Sequence, residues 1–77
     1  MELAVAFGRV LRTCRKEAGM TQEQLGLEAG LERNFISLLE LGQRQPTLTS
    51  LFKLAHAMSV QPSILVRLTE EAAGAKN

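Results

Sequence analysis

The segment from residue 21 to residue 41 constrains the fold more than any other part of the chain, because it encodes two short helices joined by a glycine. Thr21, followed three residues later by Gln24, forms a capping box, which predicts that a helix begins directly after the threonine. Gly30 can adopt the positive φ with which a chain leaves a helix and turns sharply. A second helix is predicted from about Glu32. Two short helices connected in this way indicate a helix-turn-helix motif.

The apolar residues of this motif fall on one face of each helix. Leu25 and Ala29 recur at helical spacing in the first helix, and Ile36 and Leu39 do so in the second. These four side chains are therefore predicted to face the core. The second helix turns outward a set of residues that includes side chains able to reach base edges: Arg33, Asn34, Ser37, Leu38 and Leu41.

Another helix is predicted before the motif, with Gly19 as the left-handed residue that ends it. Cys14 lies among its apolar residues and is interpreted as a small buried hydrophobic residue, with a redox switch as the less favoured alternative. The apolar stripe expected to face the core comprises Leu3, Phe7, Val10, Leu11, Cys14 and Ala18. The basic residues that make one end of the molecule positive are Arg9, Arg12, Arg15 and Lys16.

The chain after the motif predicts two more helices. A polar loop with two helix breakers occupies residues 42–46, and Thr47 is a good N-cap for a fourth helix that ends near residue 58. Pro62 suits the first turn of a fifth helix, predicted over about residues 62–73, followed by a frayed tail at residues 74–77. The residues of these helices expected in the core are Leu51, Leu54, Ala55, Met58, Leu65, Leu68 and Ala72. The sequence therefore predicts an all-α fold of five helices.

Length and composition indicate one small domain over residues 1–77. A chain of 77 residues buries only about 60% of the surface that it exposes when unfolded, so dimerisation would add useful stability. The net charge of +1 and the pI of 8.0 fall below the pI of about 9 that would by itself mark a nucleic-acid-binding domain. Charge alone therefore does not indicate DNA binding.

Several other classes of protein are disfavoured. No apolar run approaches the roughly 18 residues that span a bilayer, and no signal-peptide pattern is present, so we expect a cytoplasmic location. His56 is the single histidine and has no second ligand near it, which argues against a metal site. Without paired carboxylates or a glycine-rich phosphate loop, an enzyme is disfavoured, and we expect no cofactor.

The sequence resembles the helix-turn-helix domains of the phage repressor and Cro type (XRE-like), over roughly residues 5–68. The residues that carry this resemblance are T-Q-E-Q-L at 21–25, A-G-L at 29–31, I-S-L-L-E at 36–40, Gly42, Pro46 and L-x-x-L-A-x-A-M at 51–58. Two positions depart from the family's pattern: Gly26 stands where alanine is usual, and Leu41 where a polar residue is usual. Because glycine inside a helix costs about 0.5 to 1 kcal/mol relative to alanine, we expect the first helix of the motif to be loosely held.

The resemblance implies a transcriptional regulator that binds double-stranded DNA with the helix from about Glu32 in the major groove. Arg33 can pair with guanine and Asn34 with adenine, and both match the family's base-reading positions. Arg15 matches a position that pairs with the residue here numbered Glu40 and also reaches a phosphate. The full set of expected base contacts is Arg33, Asn34, Ser37, Phe35 and Leu38. The expected phosphate contacts are Gln22, Arg15, Arg44 and Thr47. For Phe35 and Leu38, packing within the protein is an equally favoured alternative.

A homodimer is expected to bind a near-palindromic operator with half-sites about one turn of DNA apart. Its interface is predicted to lie on the fourth and fifth helices, at Phe52, Ile64 and Val66, because apolar side chains left outside a small domain often mark a partner surface. Among members of the family, the chain resembles small phage-type repressors and the controller proteins of restriction-modification systems. The alternative is a protein-interaction module, such as an antitoxin-like partner with DNA binding secondary, which the low net charge and the apolar Leu38 and Leu41 would suit.

Overall fold

The computed structural model describes residues 1–74, and within them the chain forms five α-helices and no strand. The predicted all-α fold is thereby confirmed. The helices are α1 Leu3–Glu17, α2 Gln22–Ala29, α3 Arg33–Glu40, α4 Leu48–Ala57 and α5 Pro62–Ala72. Of the tail predicted to be frayed, Gly74 is described as a turn residue and residues 75–77 lie outside the described part of the chain.

The helix starts follow the local chemistry of the sequence. The capping box is confirmed: the Thr21 hydroxyl accepts from the backbone N–H of Gln24 at 3.0 Å, and the Gln24 side chain accepts from the backbone N–H of Thr21 at 2.8 Å. Thr47 caps α4 in the same way by accepting from the backbone N–H of Ser50 at 3.0 Å. Glu32, the predicted start of the second motif helix, is the extended N-cap residue of α3.

Each of the five helices ends at or is followed by a residue in the left-handed conformation, namely Gly19, Gly30, Gly42, Ser59 or Gly74. Gly30 ends α2 with φ of 71°, as predicted, and Gly19 follows the C-cap of α1 with φ of 72°. Ser59 takes the equivalent place after α4 with φ of 59°, and it is the one described non-glycine residue with positive φ. The Val60 N–H donates to the Ala55 carbonyl at 2.9 Å across this turn. A side chain at Ser59 therefore occupies a backbone conformation that favours glycine.

Replacing Ser59 with glycine is expected to raise the free energy of unfolding by about 0.5 to 1 kcal/mol. Glycine adopts this conformation without the steric penalty that a Cβ brings, and this gain exceeds the loss of entropy of the more flexible unfolded chain. Urea denaturation would measure the difference. Ser63→Gly, at an exposed position in the first turn of α5, is the matched control and should lower the free energy of unfolding by a similar amount. If both changes lower the free energy of unfolding equally, the conformation of Ser59 carries no steric penalty that glycine relieves.

The core draws its apolar residues from all five helices. α1 lies against α3 and α5, and α2 lies against α3 and α4. Two residues of the predicted stripe on α1 are corrected: Leu3 is largely exposed near the start of the helix, and Ala18 is its exposed C-cap residue, beyond the last helical turn. The core is made of Phe7, Val10, Leu11, Cys14, Leu25, Ala29, Ile36, Leu39, Leu51, Leu54, Ala55, Met58 and Leu65.

Within residues 1–74, no helix is long and apolar enough to cross a membrane. The same part of the chain holds no group of three or more histidine, cysteine and carboxylate residues that could bind a metal ion. Burial raises the pKa of the Cys14 thiol, and the nearby Glu17 carboxylate raises it further. Cys14 is therefore held as a neutral, buried thiol, as its position on the apolar stripe predicts.

Candidate nucleic-acid interface

The helix α3 divides sharply into a buried face and an outward face. Ile36 and Leu39 are completely buried and anchor the helix to the core. Arg33 and Asn34, the first two residues of α3, are exposed, while Ser37 is partly exposed. The polar side chains predicted to read bases thus share one accessible side of the helix.

The two apolar residues of α3 that are predicted to contact bases, Phe35 and Leu38, are partly buried. Phe35 is partly buried and packs against the core cluster, which accords with the packing alternative for this residue. Leu38 is also partly buried, at the border of the outward face. Leu41, the C-cap residue of α3, is 64% exposed. The outward face is therefore polar at its beginning and apolar toward its end.

An ion pair beneath α3 fixes this helix to α1. The Arg15 Nε donates to Glu40 Oε2 at 2.6 Å and its Nη2 donates to Glu40 Oε1 at 3.0 Å, a two-pronged contact. The accessible fractions of the two side chains are only 10% and 5%. The hydrogen bond to Glu40 raises the pKa of Arg15 above its usual value, so the guanidinium stays charged. A buried pair of this geometry holds the two helices in one relative position.

The same carboxylate also binds α2. Gln22 Nε2 donates to Glu40 Oε1 at 3.0 Å, and Arg15 Nη1 donates to the backbone carbonyl of Met20 at 2.8 Å, just before α2. An ionised carboxylate only accepts hydrogen bonds, so the amide nitrogen of Gln22 is the end that faces it. Glu40 therefore joins α1, α2 and α3, and it orients the side chain of Gln22.

Two of the predicted phosphate contacts are consequently found in an intramolecular network. Arg15 is buried and uses three nitrogen atoms within the protein, so it is not a solvated surface arginine. Gln22 is partly exposed and keeps a second amide hydrogen beyond the one given to Glu40. Of these two residues, Gln22 is the better placed to meet a ligand from outside.

Two glycines allow α3 to lie unusually close to its neighbours. A Cβ on Gly26 would lie 2.6 Å from the Leu31 carbonyl oxygen, and one on Gly8 would lie 2.7 Å from the Glu40 carbonyl oxygen. Side chains at these positions would push against backbone at the beginning and at the end of α3. Gly26 thus has a packing role that the sequence did not reveal, because its missing side chain lets the turn into α3 pack tightly. That α2 is loosely held stays a prediction.

The loop after α3 and the start of α4 lie next along the chain. Arg44 is exposed in this loop, as a phosphate contact would require. The Thr47 hydroxyl accepts from the Ser50 N–H and also donates to Ser50 Oγ at 3.2 Å. Its oxygen is thus occupied by capping, and the first backbone N–H groups of α4 are the polar groups that this end offers to a ligand.

The residues predicted to form a dimer interface lie on α4 and α5. Phe52 and Val66 are about half exposed, while Ile64 is partly buried. Of these three residues, Val66 lines an apolar cleft of about 350 Å³, together with Leu3 and Leu51 among others. Leu3 lines this cleft, which opens between α1, α4 and α5.

Sequence reasoning missed Gly8 and the contact between Gln22 and Glu40. The only signal for Gly8 was a glycine inside a helical pattern, which usually has a packing reason. The contact of Gln22 with Glu40 spans 18 residues and depends on the crossing of α2 and α3, so periodicity carries no trace of it. Glu40 was matched to Arg15 by resemblance, and that pairing is confirmed.

Comparison with known proteins gives consistent matches. A helix-turn-helix family model matches residues 11–65. The chain is 35% identical over 71 residues to the uncharacterized HTH-type transcriptional regulator y4dJ of Sinorhizobium fredii, covering 92% of each chain. It is 39% identical to the restriction-modification controller protein C.AhdI of Aeromonas hydrophila, with a TM-score of 0.78 over 80% of this chain and 94% of that one.

A second controller protein extends the structural match. C.Esp1396I, solved as a tetramer in complex with its natural 35 base-pair operator, is 28% identical to this chain. Its TM-score is 0.83, covering 94% of this chain and 95% of that one. The likeness therefore includes all of the helices that surround the α3 face.

Proposed function

Because this chain belongs to the helix-turn-helix family whose model it matches, we propose that it is a sequence-specific DNA-binding transcriptional regulator. The observation that carries the proposal is the outward face of α3, where Arg33 and Asn34 stand exposed on a helix anchored by buried Ile36 and Leu39. B-DNA's major groove admits one α-helix, and each base pair presents a distinct pattern of donors and acceptors there. A fixed helix with exposed polar side chains suits that groove.

Arg33 and Asn34 read bases in this proposal. The guanidinium of Arg33 can donate two parallel hydrogen bonds to guanine O6 and N7, and the Asn34 amide can pair with adenine N6 and N7. Both residues lie in the first turn of α3, the end of a recognition helix that commonly meets the bases. Ser37 and Leu38 follow on the same side as further contacts. Phe35, packed against the core, contributes mainly by holding the helix.

Phosphate contacts fix the register of α3 on the DNA without reading sequence. Arg44, Gln22 and the backbone N–H groups at the starts of α2 and α4 supply them in this proposal, with Thr47 as the residue that shapes the start of α4. Arg15 acts chiefly through Glu40 by holding α3 in place. The network under α3 thus joins Gln22 and Arg15 to Glu40, on the helix that carries the base-reading residues.

A homodimer through Phe52, Ile64 and Val66 would present two α3 helices related by a two-fold axis. Two such helices about 34 Å apart would meet successive major grooves on one side of a near-palindromic operator. The operator complex of the similar controller C.Esp1396I supports an oligomer on DNA. We accordingly propose a cytoplasmic, non-enzymatic regulator, comprising a single domain, whose partners are double-stranded DNA and a second copy of the chain.

Selection of bound sequences from a random DNA pool tests this function directly. The expected result is one enriched motif with two-fold symmetry and half-sites centred about one turn apart. No enrichment at low salt, with folded protein confirmed by circular dichroism, would overturn the proposal.

Replacing Arg33 with alanine is expected to weaken binding to the selected operator by about 1 to 3 kcal/mol and to relax one base position. The change removes a bidentate contact with guanine but leaves the fold untouched, because the side chain is exposed. Repeating the selection with the variant measures the relaxation. The matched control is Arg9→Ala, whose side chain lies beside α5; an unchanged motif for Arg33→Ala would remove this residue from the base-reading set.

Replacing Arg44 with alanine is expected to lower affinity for every DNA sequence and to reduce the slope of log K against log salt by about one unit. The reason is that one fewer phosphate is neutralised, so fewer counterions are released. Fluorescence anisotropy at a series of salt concentrations measures the slope, with Arg9→Ala again as the control. If the slope of Arg44→Ala equals that of the parent protein, the residue makes no phosphate contact.

A protein-interaction module is the second candidate, and the exposed Leu41 is the observation in its favour. In that case α3 would dock on a protein surface and the chain would retain only weak, non-specific affinity for DNA. A gel shift with random DNA and with the selected motif, at low and moderate salt, distinguishes the two functions. A specific complex that survives moderate salt supports the regulator.

A further inference from the structure

Leu41 lies in the middle of the outward face of α3. Its φ of −80° and ψ of −5° continue the helix by one residue, so the helical repeat still fixes the direction of its side chain. It follows Asn34 by seven residues and Ser37 by four, two spacings that bring side chains onto the same face of a helix. An apolar side chain that is 64% exposed therefore shares the face of the exposed polar residues.

Leu38 extends this apolar surface, since it precedes Leu41 by three residues and lies at the border of the same face. The two leucines together make the end of the outward face apolar. Among the groups that the four base pairs present in the major groove, the apolar one is the 5-methyl group of thymine. The other groups in the code are hydrogen-bond donors and acceptors, which a leucine cannot satisfy.

We infer that Leu41, with Leu38 beside it, reads thymine by contact with its 5-methyl group. This inference rests on the proposed function, because it requires α3 to lie in the major groove. Seven residues at a rise of 1.5 Å per residue separate Leu41 from Asn34 by about 10 Å, or about three base-pair steps of 3.4 Å. The thymine is therefore located about three base pairs from the adenine that Asn34 contacts.

Replacing each thymine of the selected operator in turn with uracil provides the test, since uracil differs from thymine only by the missing methyl group. The parent protein is expected to bind about fourfold more weakly when the contacted thymine is replaced, the effect of removing one buried methyl group. Uracil elsewhere in the operator should leave the affinity unchanged. Loss of affinity at no position, in an operator that the protein still binds specifically, overturns the inference but leaves the proposed function standing.

The variant Leu41→Ala tests whether Leu41 is the residue that causes the lower affinity for the uracil operator. This variant is expected to bind the thymine and uracil operators equally well at that position, while its preference at the bases read by Arg33 and Asn34 is kept. Leu27→Ala is the matched control, because Leu27 is 79% exposed on α2 and should retain the fourfold difference. A Leu41→Ala variant that keeps the fourfold difference overturns the inference. If that variant also changes its oligomeric mass, Leu41 serves a protein contact instead.

Discussion

Replacing Glu40 with alanine is expected to lower the free energy of unfolding by about 3 to 5 kcal/mol, because it leaves the buried guanidinium of Arg15 without its partner. The carboxylate accepts from Arg15 and from Gln22 in a site where only 5% of its side chain is accessible. A domain of this size has a total stability of about 5 to 15 kcal/mol. The loss is therefore a large part of the total stability, and urea denaturation followed by circular dichroism would measure it.

Two further variants test why Glu40→Ala lowers the stability. One breaks an exposed ion pair instead of a buried one, and the other removes both buried charges. Glu71→Ala breaks the exposed pair with Arg67 on α5, whose side chains are 56% and 60% accessible, and it should change stability by no more than about 0.5 kcal/mol. Arg15→Met combined with Glu40→Leu removes both buried charges and should recover most of the stability that Glu40→Ala loses. A double variant as unstable as Glu40→Ala would contradict the assignment of the loss to an unpaired charge.

The starts and ends of several helices are determined by short stretches of sequence. Thr21 with Gln24 marks the start of α2, Gly30 marks its end, and Pro62 marks the start of α5. Each signal acts through backbone hydrogen bonds or φ values within about four residues, so the sequence alone was enough to locate it. The exposed positions of Arg33 and Asn34 follow equally from helical spacing, since buried Ile36 and Leu39 settle the opposite face.

The support of α3 could not be predicted in the same way. The position of this helix depends on where α1 and α2 cross it, and crossings are decided by contacts between residues far apart in the chain. Gly26 illustrates the difficulty: propensity treats it as a weak point, whereas its absent side chain admits the carbonyl of Leu31. Leu3 is a similar case, because it lines a cleft that α1 forms together with α4 and α5. The sequence was enough to predict which residues lie on the outward face of α3. How α3 is held in place depends on tertiary packing.

Gly8 provides the second test of how α3 is held, because the expected sign of its substitution is opposite to that of helix propensity. Alanine in place of glycine within a helix ordinarily stabilises by about 0.5 to 1 kcal/mol. In this structure a Cβ on Gly8 would meet the Leu39 carbonyl oxygen and would lie 2.7 Å from the carbonyl oxygen of Glu40. These neighbours are backbone atoms, which cannot turn aside as a side chain can.

Gly8→Ala is therefore expected to lower the free energy of unfolding, at the upper end of the about 1 to 3 kcal/mol typical of overpacked sites. The displaced end of α3 should also weaken specific DNA binding, since the distance between Arg15 and Glu40 would change with it. Thr13→Ala, at an exposed position on the same helix, is the matched control and should stabilise slightly. Urea denaturation of both variants measures the contrast. A Gly8→Ala variant that gains stability as Thr13→Ala does would show that α1 and α3 can separate freely, and that the close approach at Gly8 does not fix the position of the reading helix.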